Sequence, residues 1–164
     1  MSSKIDKTLI GPAGESLVLA RLLSRGHLAS AAPRGTRKID IVVNDFDNNN
    51  PKLVQVKTTM KGSSSGWPMS DKHETIADEN LFYCLVSFEN PMGSVYVIPA
   101  KVVADAVRTD HAIWLEQPGK DGKPHSVSNN FRQIKSVMNG KNSGWLDEYL
   151  ENWESIDFDP NQER

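Results

Sequence analysis

Residues 38–59 read Lys38-Ile39-Asp40-Ile41-Val42-Val43-Asn44-Asp45-Phe46, then Asp47-Asn48-Asn49-Asn50-Pro51, then Lys52-Leu53-Val54-Gln55-Val56-Lys57-Thr58-Thr59. Two runs rich in β-branched residues enclose a cluster of strong turn formers, the pattern of a β-hairpin. Residues two apart on a strand share a face, so Asp40 and Val42 point one way while Ile39, Ile41 and Val43 point the other. On the second strand Leu53, Gln55 and Lys57 share a face, and Val54 and Val56 take the opposite one. With the turn centred on Asn48 and Asn49, antiparallel pairing sets Asp40 opposite Lys57 and Val42 opposite Gln55. A carboxylate, an amide oxygen and an ammonium then converge on one patch. From periodicity alone, a cross-strand ion pair between Asp40 and Lys57 on a solvated face explains the two charges equally well.

Upstream of the hairpin, Gly11-Pro12-Ala13-Gly14-Glu15 opens a predicted helix that runs to about Arg25 and stops at Gly26. Val18, Leu19 and Leu22 lie three, four and seven positions beyond Glu15, which aligns the glutamate with the apolar, inward-facing stripe. A first-turn acid favoured by the helix dipole is the plain explanation. Gly11 and Gly14 carry no side chain and allow this turn to approach a sheet closely.

A glutamate in an early helix, an aspartate in a strand and a short hairpin to Gln-x-Lys together resemble the PD-(D/E)xK nuclease superfamily. The matching positions are Glu15, Asp40, Gln55 and Lys57, and the likeness covers roughly the first hundred residues. It departs from the family pattern in two places. Ile39 stands where the motif has proline, and Gln55 stands where the usual residue is acidic; glutamine there is a known active variant of the superfamily.

The resemblance implies an α/β, restriction-endonuclease-like mixed sheet of about five strands flanked by helices. It also implies a hydrolase, a magnesium- or manganese-dependent nuclease acting on nucleic acid, DNA before RNA. In that scheme Asp40 ligates the metal, Gln55 adds its amide oxygen, Val56 its backbone carbonyl, and Glu15 holds a water of the site. Lys57 orients the attacking water or stabilises charge developing on the phosphate. The alternative is a catalytically inactive module that keeps the scaffold to bind nucleic acid or a protein partner.

Charge neither demands nor forbids this. The 19 Lys and Arg against 21 Asp and Glu leave the chain at −2, which argues against an undirected nucleic-acid binder. Arg34, Arg37, Lys38, Lys57 and Lys61 nevertheless gather around the proposed site, while acidic residues dominate residues 147–163, an asymmetry able to create a positive cleft on an acidic molecule. Arg34, Arg37, Lys38 and Lys61 are therefore the expected nucleic-acid contacts. Cys84 stands alone in an apolar run, so it reads as a buried thiol and a disulfide framework is excluded. No apolar stretch approaches membrane-spanning length and the first residues lack a signal-peptide core, so a cytoplasmic protein without membrane contact is expected.

The rest of the chain reads as follows. A short strand is expected over residues 27–33, a mobile Gly/Ser loop over 61–67, and a short helix within 69–79 whose His73 and Glu74 can face the site. Residues 81–88 form a strand buried on both faces, paired as a hairpin with 94–98, after which Pro99 starts a helix to about Val107. Trp145, Leu146, Tyr149, Leu150 and Trp153 recur at helical spacing, predicting an amphipathic terminal helix whose aromatics serve as core anchors or as the surface of a homodimer. One domain is expected over residues 1–156, with a disordered polar tail over 157–164.

Overall fold

The computed structural model describes residues 5–33, 35–36, 38–44, 50–119 and 122–158. A five-stranded mixed sheet forms the centre, in the order β1 (Leu28–Ala31), β2 (Ile41–Asn44), β3 (Lys52–Thr59), β5 (Leu81–Ser87), β6 (Ser94–Pro99). β1, β2 and β3 form an antiparallel meander, β5 runs parallel to β3, and β6 returns antiparallel to β5. Between β3 and β5 the chain makes β4 (Trp67–Ser70), which pairs with the late β7 (Phe131–Ile134) as a separate two-stranded ribbon.

Helix α1 (Ile10–Ser24) covers one face of the sheet and α2 (Ala100–Glu116) the other. Val18 and Leu22 of α1 are fully buried against Val54, Val56, Cys84 and Val86, whereas Val103, Ala106 and Val107 of α2 pack on Leu81, Tyr83 and Leu85. Both strand alternations are thus consumed by the core, which is why every residue of β5 is buried. Cys84 lies within it with no access to solvent, and burial pushes its thiol pKa far up, so it stays an inert, protonated core residue. α1 ends at Gly26, whose φ of 86° sits in the left-handed region while its N–H donates to the carbonyl of Leu23 at 3.0 Å.

Several expectations are corrected. The segment expected to be a mobile Gly/Ser loop is a packed turn: Gly62 and Gly66 are buried, and Trp67 is fully buried with its indole N–H donating to the carbonyl of Val86 at 2.8 Å. A Cβ on Gly66 would fall 2.3 Å from the carbonyl oxygen of Ile134, so the ribbon closes against it. In place of a helix within residues 69–79 there is one 3-10 turn, Asp71–Glu74, capped by Ser70. α2 extends nine residues past Val107, to Glu116.

The terminal amphipathic helix is replaced by two 3-10 turns, Asp147–Tyr149 and Trp153–Ile156. Glu151, at φ 51°, turns the chain between them, and Trp145 joins the α2-side core while Trp153 joins the α1-side core. Helical spacing failed here because the segment wraps around the β6 edge, where Leu150 makes a bridge to Tyr96. Lys52 donates to the carbonyl oxygen of Asp157 at 2.6 Å and lies over the Phe158 ring; the tail beyond is outside the described residues.

Candidate metal and phosphodiester site

The hairpin register is two residues away from the expected one. β2 pairs Val42 with Leu53, not with Gln55, and the last pair is Ile41 with Val54. Asp40 therefore falls one step beyond the ladder, beside Gln55 and Val56 rather than opposite Lys57. Its backbone N–H donates to the carbonyl of Val54 at 2.8 Å, and its carboxylate Oδ2 accepts the N–H of Val56 at 2.7 Å. The turn residues on which the expected register rested, 45–49, lie outside the described residues. Among the described residues Asp40 and Lys57 form no ion pair, so the simple charge-pairing explanation does not hold.

Where β2 ends, β3 continues with an open edge. The Val56 N–H points to that edge, and its carbonyl leaves the strand on the same side, because N–H and C=O of one strand residue are directed alike. Two residues before Asp40, Lys38 is held at φ 67°. For a residue with a Cβ this costs about 1–2 kcal/mol, and such strain clusters at functional positions.

α1 reaches this edge because Gly14 is a glycine. A Cβ there would lie 1.9 Å from Oγ1 of Thr58, so the helix rests directly on β3; Gly11, by contrast, has open space around its Cα. Glu15, the next residue, feels the charge of Asp40. Partial burial, and after it the Asp40 carboxylate, raise the Glu15 pKa above the usual carboxylate value. Two acids thus share one edge, and neither forms an ion pair with a Lys, Arg or His among the described residues.

Gln55 and Lys57 leave β3 on the opposite face, toward α2, where Gln55 is paired in register with Tyr83. The amide oxygen of Gln55 is buried and accepts no hydrogen bond, and the hydroxyls of Thr58 and Tyr83 are likewise buried without partners. Such orphans are rare in folded proteins and call for an explanation. Tyr83 was legible in the sequence only as a core residue; its register with Gln55 is what brings its hydroxyl here. His73 packs at 5.8 Å from the Tyr83 ring. Burial holds its pKa below the ordinary value, and the nearby charges of Lys57 and Lys38 push the same way. His73 therefore faces the site, whereas Glu74 turns away to Arg132 and His111.

The expected basic contacts divide. Lys38 stands with Lys57 around His73, but Lys61 lines a separate cleft of about 700 Å³ together with Lys7, Gly11 and Thr59. Arg34 and Arg37 lie outside the described residues. Among the described residues no three His, Cys, Asp or Glu side chains form a metal-binding cluster.

Neither family models nor curated proteins match this sequence. Among solved structures it is similar to a bacterial homing endonuclease, I-Ssp6803I, at a TM-score of 0.54 and 17% identity, over 93% of this chain and 92% of that one. The chain has the fold of a known endonuclease. At this identity the likeness concerns the arrangement of sheet and helices alone. No helix among the described residues is long and apolar enough to cross a membrane.

Proposed function

We propose that the chain is a divalent-metal-dependent nuclease that hydrolyses phosphodiester bonds in DNA, with the β3 edge as its centre. The observation that carries this reading is the buried, partnerless amide oxygen of Gln55 next to the Asp40–Val56 contact. A hard cation such as magnesium or manganese favours such oxygen donors, and its charge would relieve the repulsion that Asp40 exerts on Glu15. Asp40 would be the primary ligand, assisted by the Gln55 amide and the Val56 carbonyl. Held by these residues, such an ion would supply Lewis-acid polarisation of the phosphate and a more acidic water.

The remaining chemistry belongs to the chain itself. Glu15 orients a water at the edge and accepts its hydrogen bond. The Lys57 ammonium stabilises charge that develops on the phosphate oxygens, an interaction stronger in the transition state than in the ground state. Lys61 and Lys7 at the adjoining cleft, with Lys38 on the other side, hold the backbone of the strand being cut. The resemblance in motif and the fold shared with an endonuclease support the same assignment.

Gln55 supplies an oxygen without charge, and that favours a second reading: a scaffold that binds nucleic acid without cutting it. One assay separates the two. Purified protein with magnesium or manganese is offered single-stranded, duplex and branched DNA, in parallel with Asp40→Ala. The nuclease reading expects cleavage by the wild type and none by the variant, which still folds and binds DNA as well or better. Metal-independent binding with no cleavage of any substrate selects the second reading.

A further inference from the structure

On the far side of the Asp71–Glu74 turn, α2 and β7 enclose a cavity of about 190 Å³. We infer that this cavity receives a single unstacked nucleobase. Its volume is below the roughly 300–1,000 Å³ of pockets for drug-sized ligands, which leaves room for one planar ring system. Phe131 and Trp114 line it, the Trp114 ring lying beside that of His111 at 5.7 Å between centroids. Phe131 is 58% exposed although it lies on a strand, an aromatic offered to solvent at the mouth of a cavity. Trp114 is backed by His125, whose ring stacks on it at 3.7 Å.

Beside these rings the cavity presents directional polar groups. The Arg132 side chain is only 6% exposed and is held in place: Nε donates to Glu74, and Nη1 donates to the carbonyls of Asn129 and Phe131 at 2.6 and 2.9 Å. Its Nη2 has no partner among the described residues. His111 is anchored through Nδ1 on the same Glu74 oxygen at 3.2 Å, and its Nε2 is buried without a partner. A fixed guanidinium with a free N–H end matches the ring-nitrogen and carbonyl acceptors on a base edge.

Charge selects a base over a phosphate. Among the described residues, the positive charges of Arg132 and Lys135 at the cavity are matched by the carboxylates of Glu74 and Asp110, so these side chains give it no concentrated positive charge for an anion. Planar, neutral and rich in acceptors, a nucleobase suits an aromatic lining and a rigid donor. Taking a base from a duplex costs a few kcal/mol of unstacking, least at mismatched or single-stranded positions. The inference deepens the nuclease reading, since it names unpaired or easily unpaired positions as the preferred substrate, but binding at the cavity is measurable without cleavage.

The test uses the full chain in EDTA with single-stranded homo-oligonucleotides, following tryptophan fluorescence and competition against a labelled strand. Wild type binds and its fluorescence is quenched. Phe131→Ala, at an exposed position that leaves the fold intact, weakens strand binding about 5- to 100-fold, the range for loss of one base–aromatic stack; Val137→Ala, at another exposed apolar position, changes nothing. Free nucleosides at high concentration compete, and inorganic phosphate at constant ionic strength does not. Wild-type affinity in both Phe131→Ala and Trp114→Leu, or competition by phosphate but not by nucleosides, overturns the inference. If strands bind through Phe131 and no substrate is ever cut, the nuclease reading falls and the pocket stands. If the wild type cuts DNA and Phe131→Ala binds and cuts equally well, the reverse holds.

Discussion

Two polar clusters flank the short Asp71–Glu74 turn, and they are built on opposite principles. On one side Glu74 is neutralised from within the chain: its carboxylate accepts from Arg132 and from His111, and its main-chain carbonyl accepts from Arg108 at 3.2 Å. On the other, burial and then the Asp40 carboxylate disfavour the charged form of Glu15, and the Gln55 oxygen is buried with no donor among the described residues. The charges of the first cluster are balanced within the folded chain, as those of buried ion pairs must be if they are not to destabilise it, while Nε2 of His111 keeps no partner among the described residues. Under the proposed function, a cation would complete the second. That difference separates a charge-balanced cluster from a candidate cation site more sharply than the number of charged residues in either.

The contrast can be broken from both sides, and the largest effect is expected at Lys57. If its ammonium acts on the transition state, Lys57→Ala lowers kcat by about 10²–10³-fold while manganese affinity stays unchanged; single-turnover kinetics beside a metal titration check both halves. A parallel loss of metal affinity would instead make Lys57 part of the binding framework.

Glu74 should behave in the opposite way. Glu74→Gln removes the counter-charge of the buried Arg132 and destabilises the fold by about 2 kcal/mol, less than the roughly 3–5 expected for a fully buried pair because the carboxylate is partly exposed. Urea denaturation measures it. A smaller loss, about 1–2 kcal/mol, is expected for Gly14→Ala, since the short β-branched Thr58 cannot yield to a new methyl group and α1 must lift from β3. Thr58→Ala in the same chain should restore most of that loss, so a double-mutant cycle with no coupling would disprove the contact.

The smallest effect concerns pH. Burial, reinforced by Lys57 and Lys38 and opposed by Ser70 and Asp71, keeps the His73 pKa below 6.5 in the folded chain. Protonation therefore favours unfolding. The stability His73 contributes is present in full above pH 6.5 and is lost as pH falls through its lower folded value. His73→Gln should flatten stability across that window, and an unchanged pH profile would remove the histidine from the neighbourhood of the two lysines.

The sequence made legible what repeats along it. Alternating β-branched residues located β2 and β3, the unbroken apolar run gave β5, and the Gly14-Glu15 pair marked both the helix start and its contact with the sheet. Register was less accessible, because it depends on how the chain turns through the Asn-rich stretch, and two residues of shift moved Asp40 from Lys57 to Val56. β7 was invisible for a different reason. Its inward positions are Arg132 and Ile134, so one of the two buried places holds a charge whose partner, Glu74, is 58 residues away. The terminal aromatics misled by their helical spacing, since Trp145 and Trp153 end in cores on opposite faces of the sheet.

The central claim, that the β3 edge is a cation site which the chain leaves for an external ion to complete, is met most directly by calorimetric titration of manganese. Wild type, Gln55→Glu and Asp40→Ala are compared with and without a saturating, uncleavable DNA duplex. Restoring a charge at position 55 should tighten binding about tenfold, or 1.4 kcal/mol, and removing the Asp40 carboxylate should abolish it. Equal manganese affinity in all three proteins, with and without DNA, would contradict the account.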